Sequence, residues 1–178
     1  MRERTPVAYI PDMATPLVLL DVDGVLNPFS RPHRGYRRHR CTPEGITYRL
    51  WLNAAHGPLL LDLAEGAGAE LAWASFWKGA ANEWIAPRVG LPEMPFVPIP
   101  RFPGLEEGHS LGAWKARHVA PWTKGRPFVW FEDEPDATVR IAAEKDIGPH
   151  LLVAVDSETG LTGDHLDRAA DWLAALTR

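Results

Sequence analysis

"LVLLDVDGVLNPF", residues 17–29, drives an unbroken apolar run straight into two aspartates and a glycine. Leu17 to Leu20 have the length and continuous hydrophobicity of a strand covered on both faces, the habit of parallel sheets. Asp21 and Asp23 follow at once. A carboxylate pair at the end of a buried strand is costly to desolvate unless a cation or hydrogen bonds compensate it.

The same pattern recurs along the chain. "AELAWAS" (69–75), "RPFVWFED" (126–133) and "HLLVAVD" (150–156) read as further strands. Helical segments lie between them. One starts near His56, with Pro58 in its first turn and Gly66 placed to close it. "GAANEWIAPRVG" (79–90), "LGAWKARHVA" (111–120, N-capped by Ser110) and "DATVRIAAEKD" (136–146, opened by Pro135) follow. "GDHLDRAADWLAALT" is amphipathic, with Leu166, Ala169, Ala170, Leu173 and Leu176 on one face. "MPFVPIP" (94–100) reads as a short edge strand, where prolines are tolerated. Strands alternating with helices imply an α/β fold: a three-layer, Rossmann-like parallel sheet wrapped on both sides.

Ligands in such sheets bind beyond the carboxyl ends of the strands. Asp21 and Asp23 end the first strand, Ser75 the second, Glu132 and Asp133 the third. Oxygen donors from three strand ends make a site for a hard cation.

Residues 28–55 depart from the alternation. "GYRRHRC" (35–41) and "GITYRLWLN" (45–53) meet at "TPEG" (42–45), whose proline and glycine suit a type I turn. Ile46, Tyr48, Leu50 and Leu52 alternate with polar or aromatic neighbours, so a β-hairpin flap is predicted, inserted into a single domain spanning 1–178. No insertion is long enough for a large cap domain. The flap is basic: Arg31, Arg34, Arg37, Arg38 and Arg40 accompany His33 and His39. It is either a solvated surface or a clamp for a polyanion, since arginine forks fit phosphates bidentately. Tyr36, Trp51, Trp77 and Trp114 either pack or stack bases.

With 178 residues, 46% hydrophobic, the chain can bury one substantial core. Its net charge of -4 argues against a protein coated in nucleic acid, though not against a local basic site. A lone cysteine, Cys41, excludes a disulfide within the chain and fits a reducing cytoplasm. The first sixteen residues show no signal peptide, and the apolar run before Asp21 is too short to cross a bilayer. A cytoplasmic location is expected.

Asp21-Val22-Asp23-Gly24-Val25 resembles the first motif of the haloacid-dehalogenase (HAD) superfamily of phosphohydrolases. Ser75 after "LAWA" resembles the second-motif hydroxyl residue, Lys115 in "GAWKARHV" the third-motif lysine, and "VWFEDEPD" the acidic fourth motif. More narrowly, "DVDGVLNPF", "WASFWKGAANEWIAP" and "GLPE" resemble small actinobacterial-type HAD domains related to RNA-repair proteins. The resemblance implies a Mg²⁺-dependent phosphohydrolase. Asp21 would be the nucleophile, forming an aspartyl-phosphate; Asp23 the general acid and base; Ser75 and Lys115 the holders of the phosphoryl group. Asp21, Asp23 (through its backbone carbonyl), Glu132 and Asp133 would surround the metal. Asn27, Arg34, Arg37, Arg38 and Lys78 would contact substrate. Two choices stay open: Glu132 or Asp133 as the direct ligand, and Lys115 or Lys78 as the phosphate lysine. The expected substrate is a phosphorylated small molecule or a nucleic-acid end, with no membrane partner. A catalytically silent RNA- or protein-binding module and a phosphotransferase are the alternatives.

Overall fold

The computed structural model describes residues 15–30, 35–104, 110–134, 136–145 and 147–176. Four parallel strands form the central sheet: β1 (Leu17–Leu20), β4 (Glu70–Trp73), β5 (Phe128–Glu132) and β6 (His150–Ala154), in the order β4-β1-β5-β6. β1 lies inside the sheet and every one of its residues is buried, which accounts for its unbroken apolar run. Its side chains alternate between two cores. Val18 and Leu20 point to one, with helices α1 (His56–Ala67) and α6 (Gly163–Ala175) packed over them. Leu17 and Leu19 point to the other, beneath α4 (Leu111–Thr123) and α5 (Ala137–Ile141). The predicted three-layer α/β architecture is therefore present.

Register sets where the strands end. Leu20 pairs with Trp73 on one side and with Phe131 on the other. The residues that follow these three are thus delivered to one rim: Asp21, the Ala74-Ser75 pair and Glu132. Backbone bonds hold that alignment past the strand ends, from Ala74 N to Leu20 O (2.8 Å) and from Asp21 N to Phe131 O (3.2 Å).

The flap is an antiparallel pair, β2 (Tyr36–Cys41) and β3 (Tyr48–Asn53). Leu50 and Leu52 bury one of its faces in the first core. The connection differs from the type I turn expected over Thr42–Gly45. Glu44 (φ 51°, ψ 28°) and Gly45 (φ 81°) are both left-handed, and Ile46 N donates to Pro43 O at 2.9 Å. This centres a type I′-like turn one residue later. Two left-handed central residues match the twist of a hairpin, as a type I turn does not.

Other boundaries moved for local reasons. α1 runs through Gly66 and stops at Gly68, whose φ of 60° supplies the left-handed cap. The 79–90 segment divides into α2 (Ala80–Trp84) and α3 (Ala86–Val89), with Pro87 in the first turn of α3. "MPFVPIP" is no strand. It makes a single bridge, Phe96 to Trp73, and bonds β4 only through Pro95 O and Val97 N; Pro95 has no N–H to extend the pairing, and Ile99 N donates to Val97 O instead. Ser110 caps α4 as expected, accepting from Ala113 N at 3.2 Å. Pro135, expected to open α5, lies outside the described residues. In α6, Leu166, Ala169 and Leu173 are buried and Leu176 packs against them, but Ala170 is exposed. Among the described residues, no helix is long and apolar enough to cross a membrane, and no inserted segment forms a large cap.

Candidate active site

Asp21 follows the last residue of β1 and is buried at 2% exposure. Its Oδ1 accepts from Val22 N at 2.7 Å. Its Oδ2 accepts from Lys115 Nζ in a close ion pair. Lys115 lies in the second turn of α4, which aims its ammonium across the strand ends. The same ammonium reaches Glu132 Oε1 at 2.7 Å and stands 5.6 Å from the centre of the Phe76 ring. Burial alone would depress the Lys115 pKa, but the carboxylates of Asp21 and Glu132 outweigh it and hold the ammonium charged. Glu132 is fully buried. Burial and the neighbouring Asp21 charge push its pKa well up, with Lys115 opposing them.

Asp133, the next residue, is half-buried, and burial followed by the charge of Asp21 raises its pKa. Oxygens of Asp21, Glu132 and Asp133 lie within 4.8 Å of one another. Gly24 makes that approach possible: a Cβ there would meet Asp133 Oδ2 at 2.1 Å. A set of carboxylates alone suits a hard cation such as Mg²⁺. Glu132 Oε2 strengthens the fit, since it is buried without a hydrogen-bond partner. Such an orphaned acceptor is expensive unless something electropositive meets it. All three carboxylates therefore fit the expected ion.

Asp23 sits differently. Its side chain lies outside the acidic group. Oδ1 accepts from Asn27 Nδ2 and Oδ2 from Trp77 Nε1, each at 2.8 Å. Burial and then the Asp21 charge raise its pKa, while these two donors lower it. A carboxyl raised beside another that is neutralised by lysine is a suitable pair for acid–base division of labour. Asn27, expected to touch substrate, has both ends of its amide engaged by the protein, because its Oδ1 also accepts from Trp51 N at 2.8 Å. It ties Asp23 to the flap.

Ser75 is buried, and Trp77 N approaches its Oγ at 3.4 Å. It lines a cavity of about 210 Å³ together with Asp21, Asp23, Lys115 and Asp133. Of the two candidate lysines, only Lys115 reaches Asp21. Lys78 lines the adjoining cavity instead. Arg37 and Arg38 are exposed on β2 and line neither cavity; Arg38 stacks over Trp51 at 5.9 Å. Arg34, with Arg31 and His33, lies outside the described residues. Tyr36 packs edge-on against His56, and Trp114 against His118 and Phe102, away from Asp21. Trp77 alone of the four aromatics singled out stands beside the acids. Its bond to Asp23 was not readable from spacing, since the two residues are 54 positions apart.

No curated protein and no solved structure gives a significant match. A family model described as "HAD domain in Swiss Army Knife RNA repair proteins" matches residues 17–166. With the motif residues gathered at one rim of the sheet, the chain belongs to this family of HAD domains.

Proposed function

We propose that the chain is a Mg²⁺-dependent phosphohydrolase acting on the terminal phosphate of a nucleotide or nucleic acid. One observation carries the reading: the Lys115 ammonium bridges Asp21 and Glu132 where an unpartnered carboxylate oxygen and Asp133 converge. Asp21, Glu132 and Asp133 would hold the ion. When bound, it cancels the repulsion between an anionic nucleophile and a phosphate ester.

The chain's own residues do the rest. Val22 N and Lys115 fix Asp21, so one of its oxygens can attack phosphorus in line. Lys115 and Ser75 present donors to the phosphoryl oxygens as charge gathers there. Asp23 gives its proton to the leaving oxygen and then takes one from the water that releases phosphate from Asp21. The description of the family, RNA repair, supports a nucleic-acid-related substrate. So does the cationic flap, with Arg37, Arg38, Arg40 and Arg49 all exposed on an otherwise acidic chain.

Release of phosphate from an aryl phosphate, with Mg²⁺ and with chelator, tests the reading. The wild-type chain should turn over only with the ion, and Asp21→Asn should abolish turnover without unfolding the protein. Activity retained in Asp21→Asn would exclude Asp21 as nucleophile. Salt-sensitive RNA binding with no phosphate release would instead mark a silent binding domain.

A further inference from the structure

A second cavity, of about 370 Å³, adjoins the one that holds Asp21. Asp23 and Phe76 line both, so the two chambers meet at the side chain assigned to protonate the leaving oxygen. The flap tip supplies one wall, with Glu44, Ile46 and Tyr48. The turn after Ser75 supplies the other, with Trp77 and Lys78. The Tyr48 and Trp77 rings lie 5.2 Å apart at 58°, in contact but not stacked flat. Tyr48 is 41% exposed and Ile46 57% exposed, apolar surface left open at the mouth of a polar site. Lys78 holds a φ of 47°, a strained value for a residue with a side chain, and makes no ion pair among the described residues.

We infer that this second chamber receives the leaving group of the phosphate ester, and that the leaving group is a nucleoside whose base lies against Tyr48 and Trp77. The inference rests on the phosphohydrolase reading of the Asp21 site. Phosphorus sits at Asp21 and the bridging oxygen at Asp23. Whatever that oxygen carries must continue past Asp23 into the space beyond. As the bond from Asp21 to phosphorus forms, the bond from phosphorus to the nucleoside oxygen breaks. Its electron pair stays on that oxygen, which takes the proton of Asp23. The chamber's size is that of a small-molecule site. Its aromatic walls favour a flat ring, because every base offers a π-face to stack. Glu44 can accept from an exocyclic amine or a sugar hydroxyl, and Lys78 can donate to base or sugar oxygens. A bare sugar phosphate would fill the same path but leave Tyr48 and Ile46 uncovered.

Calorimetry on the full chain tests this, using Asp21→Asn to prevent turnover in the presence of Mg²⁺. The better of adenosine 3′- and 5′-monophosphate should bind about tenfold more tightly than ribose 5-phosphate. Tyr48→Ala on the same background should bring the ratio close to one, while Tyr48→Phe should keep it. Equal affinities in the chain with Tyr48 intact would overturn the inference, as would a preference that Tyr48→Ala leaves untouched. The parent reading is scored separately, by phosphate release from the same esters with the wild-type chain. Release without a binding preference sinks the chamber assignment alone. A preference without release sinks the phosphatase, and with it the leaving-group role, and leaves the chamber as a nucleoside-binding pocket.

Discussion

Lys115 Nζ stands 2.7 Å from Glu132 Oε1 while also paired with Asp21, and all three side chains are shut away from solvent. Two buried carboxylates and one ammonium are tolerable together, but neither acid is tolerable alone. Removing one member of a buried pair costs about 3–5 kcal/mol, because the remaining charge is left uncompensated. Lys115→Met should therefore lose about that much in urea unfolding measured with chelator. Adding Glu132→Gln to it should recover part of the loss, since one stranded charge disappears. A double variant no more stable than Lys115→Met would show that the lysine acts through packing, not charge.

Gly24 gives a sharper test of the acidic group. A methyl at this position would stand 2.1 Å from Asp133 Oδ2, and the residue holds a φ of 77°. Gly24→Ala should cost about 1–2 kcal/mol of left-handed strain and also drive Asp133 aside. Mg²⁺ should raise the melting temperature of the wild-type chain and raise that of Gly24→Ala much less. Gly45→Ala is the matched control. Its φ is 81°, but nothing lies within 4 Å of the added carbon. It should show the strain and keep the Mg²⁺ response. Equal responses in both variants would remove Asp133 from the metal site.

Trp77 donates to Asp23 Oδ2 through its indole N–H, and phenylalanine can replace the ring but not the donor. On the proposed mechanism Asp23 protonates the leaving oxygen, and the Trp77 donor keeps its carboxyl turned to that place. That matters for an alkyl ester, whose alkoxide leaves poorly, and little for an aryl ester, whose phenolate leaves unaided. In Trp77→Phe, kcat/KM for glycerol phosphate should fall about ten times further than kcat/KM for an aryl phosphate. If Trp77 merely supports Tyr48, both substrates will suffer alike, and the ratio will not move.

Much of the fold is legible in the chain because burial on both faces leaves a mark that needs no tertiary knowledge. Leu17–Leu20 and Phe128–Glu132 show it plainly, and the acids at their ends follow from strand register. Features decided by a choice between similar neighbours are not legible. Gly66 and Gly68 both could close α1, and only the hydrogen bonds from Gly68 N to Ala64 O and Glu65 O select the second. In "TPEG" the hairpin's twist moves the turn to Glu44-Gly45, which outweighs the preference of a glutamate for negative φ. The amphipathic period of α6 includes Ala170, but that residue lies in an open groove between α6 and α1, beside Asp62, Gly66 and Ala67. Asp21, Ser75, Lys115, Glu132 and Asp133 were each visible as strand-end or helix residues. The second tier was not, because Asn27 and Trp77 acquire their meaning only when the flap and the turn after Ser75 close upon Asp23.

His56 opens α1 in a buried position, with its Nδ1 unpartnered and its ring edge-on to Tyr36 at 5.5 Å. Burial lowers its pKa from 6.5 to about 4. The folded chain thus keeps the ring neutral where the unfolded chain would protonate it. Between pH 6.5 and 4 the unfolded state binds more protons, so stability falls as pH falls through that window. The contribution is fully present above pH 6.5 and is exhausted below 4. At pH 4.5 the loss expected from this ring is about 2–3 kcal/mol relative to pH 7.5. His56→Phe retains a flat ring against Tyr36 and cannot titrate. Urea unfolding at both pH values should show the variant losing about 2–3 kcal/mol less than the wild-type chain on acidification. If the two lose the same amount, the imidazole is already solvated or paired in the folded protein, and the acid sensitivity belongs to the carboxylates of the rim.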